Sequence, residues 1–394
     1  MQARALGPSA PAEARSLKHA WPSGRALALR RLAASALCLA LALPQFAACG
    51  AHAYRGERRP KPAARAVNPP AQRAAEDPLQ IVVSVEEQRL FVYDRLGLLD
   101  ASAVSTGVGG YPTPTGIFSV LDKEWQHYSN IYGAAPMPFM QRLTMSGVAL
   151  HAGLVTGRPA SHGCIRVPRA FAVKLYKLTN LGTRVVIASN APAPEEITHA
   201  RLFVRRPPPP AATADPNKPL AVARATAAEL DKGIADARLG NITAERWRTL
   251  EALPISIFVS GKEGRLFVRH GFRPLFDAPV SIRAPERPLG THLFTALDYR
   301  DAAHTVLRWQ VVSLPPEPAP TGRLAAKPMP IAARVGEELA GADAAAALDR
   351  IALPQEAVDR IAELIAPGAA LIVSDHGWNR EMRAEGTDFI VLTH

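Results

Sequence analysis

Two stretches of this chain, offset by 186 residues, share one layout without a gap: IRVPRAFAVKLYKLTNLGTRVVIAS at 165–189 and IALPQEAVDRIAELIAPGAALIVSD at 351–375. Pro168 falls opposite Pro354, Leu175 opposite Ile361, Leu178 opposite Leu364 and Gly182 opposite Gly368. Two shorter echoes precede them in the same order. QRLFVYDRLG (88–97) returns as GRLFVRHG (264–271), and TPTGIFSVL (113–121) returns as RPLGTHLFTAL (287–297) with a small insertion. Ordered self-similarity predicts a duplicated domain. Whatever the first half folds into, the second half builds a version of it.

Local patterns say what each copy contains. LQIVVSVEEQRLFVYD (79–94) alternates and is rich in Val, Ile, Phe and Tyr, with a turn near Glu86 and Glu87, so a β-hairpin is expected. GVGGYPTPTGIFSVLD (107–122) is a glycine- and proline-punctuated loop feeding a strand, and VALHAG (148–153) is a short strand ending at His151. Beyond Pro168, Phe171, Leu175 and Leu178 recur at helical spacing; Gly182 supplies the stop and RVVIA (184–188) is a strand. The expected division is a first domain at 79–189, a Pro-rich linker at 190–252 with a helix near 224–250, and the repeat at 253–394.

The N-terminal stretch has a different character. Arg30 and Arg31 precede LAASALCLALAL (32–43), an apolar run too short to span a bilayer comfortably. Ala51-His52-Ala53 offers an export cleavage site, and Phe46-Ala47-Ala48-Cys49 is its rival, a lipoprotein-like box that would anchor the chain at Cys49. Residues 1–53 are read as a signal peptide or lipoprotein leader, and 54–78 as a Pro/Ala/Arg-rich tether. The expected location is outside the cytoplasm, periplasmic or on the cell envelope. The formal charge of +11 includes six Lys/Arg against Glu13 in the leader, so the remainder carries a modest positive excess without a dense basic block. That suits an acidic polymer or surface, and nucleic acid is not an expected partner.

Of the three cysteines, Cys38 and Cys49 lie in the leader, which leaves Cys164 alone in an oxidising compartment. It stands in ASHGCIRVP (160–168). A buried structural thiol is one reading. A nucleophile is the other, and it needs a base, oxyanion donors and access. His151 is the candidate base. Gly163 allows close backbone approach, so its amide and that of Cys164 could face an oxyanion. Ser161 and His162 could orient the base or hold the loop, and Arg166 could bind a carboxylate in bidentate fashion or serve in a structural ion pair. His151, His162 and Cys164 could alternatively ligate zinc, although no fourth ligand is evident. The second copy puts Arg350, Leu348 and Glu337 opposite Cys164, His162 and His151, so it retains the frame without the cluster.

The block from the strand histidine through ASHGCIRVP, together with EEQRLFVYD and the STG…GYPTPTGIF run, resembles the YkuD-type L,D-transpeptidase family over about 79–189. The resemblance implies that Cys164 is the nucleophile and His151 the proton acceptor and donor. It also implies an oxyanion hole around Gly163 and Cys164, and a main-chain carbonyl near Ala152 or Gly153 that orients the histidine. The implied reaction is attack on the bond between the L-centre of diaminopimelate and D-Ala in a peptidoglycan tetrapeptide stem. The thioester then passes to a stem amine or a protein lysine, or to water in an L,D-carboxypeptidase. No metal or other cofactor is implied. The His-to-Cys interval is shorter than in well-known members, and HAG stands where His-Gly or His-Ser is usual, which bears on the substrate loop. NIYGAAPMPFMQRLTMSG (130–147) is expected to form a lid, with Tyr132 and Phe139 on the substrate. The expected fold is mainly β: a β-sandwich-like domain with one flanking helix, followed by a related mostly-β or α+β domain. A non-catalytic peptidoglycan-binding module is the reading from another class.

Overall fold

The computed structural model describes residues 74–206, 249–315, 343–384 and 386–393. The leader, the tether up to residue 73 and most of the helix expected at 224–250 lie outside the described residues.

The hairpin pattern becomes β1 (Gln80–Ser84) and β2 (Arg89–Asp94), continued by β3 (Gly97–Ala103). β4 (Gly116–Ser119) and β9 (Arg184–Ala188) complete the sheet from the other side: β9 runs parallel to β1 and β4 antiparallel to β9. A parallel neighbour needs a crossover, and α1 (Arg169–Leu178) provides it. β1 and β9 are buried at every position, which accounts for their continuous apolar runs. Ile81, Val83, Val185 and Ile187 point into a core under α1, while Val82 and Val186 point the opposite way. On the α1 side, β5 (Asp122–Glu124), β6 (Met140–Arg142), β7 (Ala149–Ala152) and β8 (Ile165–Val167) form a second, four-stranded layer. Leu143, Leu150, Ile165 and Val167 bury this layer in the same core, giving the expected β-sandwich-like domain with a flanking helix.

The C-terminal half forms a second large sheet from β10 (Glu195–Ile197), β11 (Ser256–Ser260), β12 (Arg265–His270), β13 (Arg273–Pro279), β15 (Thr291–Tyr299), β16 (Leu307–Leu314) and β18 (Ala370–Ser374). Its pairing repeats that of the first sheet. Gln80 faces Tyr93 and Arg184 in the first; Ser256 faces Arg269 and Ala370 in the second. Phe118 faces Val185, and Phe294 faces Leu371. Even the register break at Val92/Tyr93 recurs at Val268/Arg269. Before β18 come α2 (Ala344–Arg350), β17 (Ile351–Ala352) and α3 (Gln355–Leu364), and β17 pairs with β14 (Ser281–Ile282). The pair Ser281–Ala352 thus reproduces the bridge Ser105–Arg166.

The two large sheets stack face to face. Val82, Ile117 and Val186 of the first meet Phe258, Leu293, Val312 and Ile372 of the second in a third core. The chain then crosses back. After α4 (Arg380–Arg383), β19 (Val391–Leu392) becomes an edge strand on β4, with Val391 opposite Ile117. Gly116 permits this closure, since a Cβ there would lie 2.0 Å from the Val391 carbonyl oxygen.

Two boundaries differ from the sequence reading. Residues 190–206, read as linker, supply β10 on β16, and Leu202 and Phe203 are buried in the core of the second sheet. Glu195 and Glu196 are exposed, and an edge strand three residues long carries too little apolar periodicity to announce itself. The last residues, assigned to the second copy, donate a strand to the first sheet. Among the described residues no helix is long and apolar enough to cross a membrane.

Candidate active site

The four-stranded layer aligns the chemistry. β7 and β8 are parallel, with Leu150 opposite Ile165 and His151 opposite Arg166. Side chains alternate along a strand, so His151, Arg166 and the residue just before β8, Cys164, share one face while Leu150 and Ile165 fill the core. That face opens into a cleft of about 490 Å³ lined by His127, Tyr132, His151, His162, Cys164 and Arg166 among others.

His151 is 8% exposed and its Nδ1 lies 2.9 Å from the main-chain oxygen of its neighbour Ala152. A carbonyl oxygen only accepts, so Nδ1 carries the proton and Nε2 is the acceptor. Burial lowers the pKa of His151; the Ala152 hydrogen bond opposes this, and the electrostatic effects of Arg166 and then His127 reinforce it. The resting imidazole is neutral.

Cys164 is the free cysteine of the described residues. Its Sγ–H donates to the Gly147 carbonyl oxygen at 3.7 Å, and it packs against Met137, Met140 and Ala149. Burial raises its pKa, opposed by a hydrogen bond from the Ala149 amide and by Arg166. Both directions favour a neutral thiol beside a neutral imidazole.

The SHG triplet builds the turn that presents the sulfur. Gly163 adopts φ +109°, a region that favours glycine. Ser161 Oγ donates to the Cys164 carbonyl oxygen at 2.5 Å and accepts the Gly163 amide at 3.2 Å. Thr113 Oγ1 donates to the Gly163 oxygen and accepts the Gly107 amide, both at 2.8 Å, so the GYPTPTG loop clamps the same turn. The two amides expected to face an oxyanion are engaged differently. The Gly163 N–H is committed to Ser161, and the Cys164 amide is the one without a partner among the described residues.

His162 projects outward between two rings, with Tyr111 and Tyr132 centroids at 4.8 Å and 4.9 Å. It neither touches His151 nor joins it in a ligand set; no group of three His, Cys, Asp or Glu among the described residues could hold a metal ion. Arg166 has no carboxylate partner among the described residues, so the structural ion pair considered for it does not form. Its methylenes lie where a side chain on Gly153 would sit, 2.9 Å from a Cβ there. Phe139 is a correction: at φ +57° its ring turns from the cleft to pack on Tyr176 at 5.9 Å and beneath Arg169 at 5.3 Å. His127, hydrogen-bonded to Glu124 at 2.9 Å, lines the cleft without any pattern in EWQHYSN to mark it. Tyr111 lies in a run prominent for its glycines and prolines, and its stacking with His162 depends on the folded turn.

At the corresponding point of the second unit, Arg350 donates to the carbonyl oxygens of Arg283, Ala284, Arg287 and Pro288. An arginine bonded to four main-chain oxygens fills that place.

Comparison with known proteins gives the following. No curated protein matches the chain. Among solved structures it is similar to an L,D-transpeptidase from Stackebrandtia nassauensis at 27% identity, covering 30% of this chain and 60% of that one with a TM-score of 0.27. It is also similar to an L,D-transpeptidase from Mycobacterium smegmatis at 22% identity, covering 28% and 58% with a TM-score of 0.26. A third, from Xylanimonas cellulosilytica, is 23% identical and is covered over 62% of its length, against 29% of this chain, with a TM-score of 0.27. The chain thus spans about three fifths of these structures. One family model matches, that of the YkuD L,D-transpeptidase catalytic domain, and its match, residues 78–187, takes in every residue that lines the cleft.

Proposed function

We propose that residues 79–189 are the catalytic domain of an exported, cysteine-dependent peptidoglycan L,D-transpeptidase. The observation that carries the reading is the His151 Nδ1–Ala152 oxygen contact at 2.9 Å on the strand face shared with Cys164. With Nδ1–H donated to Ala152, the free Nε2 lies on the same strand face as Cys164, in a cleft where Arg166 has no carboxylate partner among the described residues. A tetrapeptide stem supplies what such a cleft lacks, a carbonyl to attack and a carboxylate to bind.

In this mechanism His151 Nε2 takes the thiol proton as Sγ attacks the carbonyl between the L-centre of diaminopimelate and D-Ala. The Cys164 amide donates to the developing oxyanion. The C–N bond breaks, His151 returns its proton to the departing D-Ala amine, and a thioester remains on Cys164. The side-chain amine of a second stem, or a protein lysine, attacks the thioester while His151 accepts a proton. The new amide forms and the thiol is restored. Arg166 binds a donor carboxylate, and Tyr132 forms one wall of the entrance.

The remaining regions are read with it. Residues 1–53 are an export leader, 54–78 a tether, and 253–394 a non-catalytic copy of the domain. Repeated pairing, repeated register break and the replacement of Cys164 by Arg350 support the last point.

The test is mass spectrometry of disaccharide-tetrapeptides incubated with residues 54–394, beside Cys164→Ala. Cross-linked dimers formed by the parent and absent from the variant are the expected result. Tripeptides alone make the enzyme a carboxypeptidase. Intact substrate with both proteins, in the presence of a lysine-bearing acceptor, removes the catalytic reading in favour of a binding module.

A further inference from the structure

The turn beside the nucleophile is held from the far end of the chain. β6 and β7 are joined through a turn at Thr144–Gly147, where the Gly147 amide donates to the Thr144 oxygen and the Val148 amide to Thr144 Oγ1. The amides of Met145 and Ser146 point outward from this turn. Both are accepted by one carboxylate oxygen of Glu381, at 2.5 Å and 3.2 Å.

Glu381 is 8% exposed and forms no salt bridge among the described residues. A carboxylate this buried would ordinarily be matched by a cation; here two main-chain amides take that place. Its own placement is rigid. Asn379 caps α4 by accepting the Met382 amide and donates to the Ile390 oxygen. Arg269 of β12 donates to the Met382 oxygen at 2.7 Å, and the Met382 side chain is wholly buried between the sheets. The second unit therefore fixes Glu381, Glu381 fixes the turn, and the turn presents the carbonyl on which the Cys164 thiol rests.

We propose that Glu381 is a positioning residue for the nucleophile. By holding the Met145 and Ser146 amides it sets the Gly147 carbonyl against Sγ and seats the Ser146–Val148 wall of the cleft, so the C-terminal segment completes the site of the N-terminal domain. The role in turnover rests on Cys164 being the reacting thiol, as proposed above. It also gives the second unit a part in the reaction although its own thiol position is closed by Arg350.

A carbonyl accepting the S–H favours the protonated thiol, and freeing the turn removes that preference. In the full chain, peptide-resolved alkylation of Cys164 by iodoacetamide at pH 7.5 is expected to quicken roughly threefold in Glu381→Ala, as more thiolate becomes available. Hydrogen exchange at Met145 and Ser146 should quicken at least roughly tenfold as their acceptor is lost. Glu381→Gln, which keeps an oxygen at the same reach, restores both towards the parent. Should Glu381→Ala fail to fold, Glu381→Asp, one methylene short, carries the test with the same expected direction. Parental alkylation in the folded variant overturns the proposal, as does parental exchange at the two amides, or equal disturbance by Gln and Ala. If the parent turns over no tetrapeptide, the reaction falls, while alkylation and exchange still decide what Glu381 does.

Discussion

Arg184 Nη1 of β9 lies 2.9 Å from Asp388 Oδ2 in the C-terminal segment, and their side chains are 7% and 1% exposed. Ser119 and Ser256 complete the group. Arg184 donates to both hydroxyls at 2.6 Å and 2.5 Å, and both hydroxyls donate to Asp388 at 3.0 Å and 3.2 Å. The first sheet, the second sheet and the tail thus meet at one buried, hydrogen-bonded ion pair. Asp388→Ala leaves the guanidinium buried without its counter-charge, which costs about 3–5 kcal/mol. A urea titration should show that loss as a lowered midpoint with little dependence on salt, because the pair is shielded from counterions. A midpoint within error of the parent would mean that the network is not formed in solution.

What was legible in the sequence is what depends on neighbours along the chain. RVVIA at 184–188 is β9 residue for residue, and the helical spacing of Phe171, Leu175 and Leu178 lies within α1. The Ser-His-Gly-Cys turn could be placed because its residues contact one another. Glu381 and Asp388 could not be. Their partners, Met145 and Ser119, lie 236 and 269 residues away, and nothing local in NREMRAEGTDF distinguishes a carboxylate that will be buried from one in solvent. Phe139 misled for a related reason: its apolar character suggested the cleft, but φ +57° sends the ring to α1. That Ser161 takes the Gly163 amide is likewise visible only in the folded turn.

The resting protonation state sets the pH profile. Burial holds His151 below the ordinary histidine value and Cys164 above the ordinary thiol value. The acid limb of kcat/KM reports protonation of the base, so it should fall below about pH 6.5, and activity should persist where an unperturbed histidine would already be half charged. Thiol alkylation in the free protein should keep rising above about pH 8.5. A preformed thiolate–imidazolium pair would reverse both signs, with alkylation already at its plateau at neutral pH. Stopped-flow alkylation and steady-state rates from pH 5 to 10 separate the two.

Arg166 lines the cleft with no acid opposite it among the described residues, and in the proposed mechanism it binds a donor carboxylate. Arg166→Ala should lower kcat/KM by roughly 30- to 100-fold, the worth of a charge-assisted bidentate contact. Arg166→Lys should recover only part of that, because an ammonium cannot form the parallel pair. The loss should vanish for a donor whose carboxylates are amidated. If the amidated donor is as sensitive to Arg166→Ala as the native one, the guanidinium is positioning the Cys164 turn and not the substrate.

The Tyr111–His162–Tyr132 stack separates binding from chemistry. His162 lies outside hydrogen-bond reach of His151, so removing its ring should not disturb proton transfer; it should loosen Tyr132, which lines the entrance. An aromatic contact is worth about 0.5–1.5 kcal/mol. His162→Ala and Tyr132→Ala should therefore raise KM by roughly two- to tenfold with kcat nearly intact. Their double variant should do little more than either alone, since both break the same stack. A fall in kcat of more than roughly a hundredfold in His162→Ala, with KM unchanged, would place the imidazole in the proton-transfer machinery and overturn the assignment of that role to His151 alone.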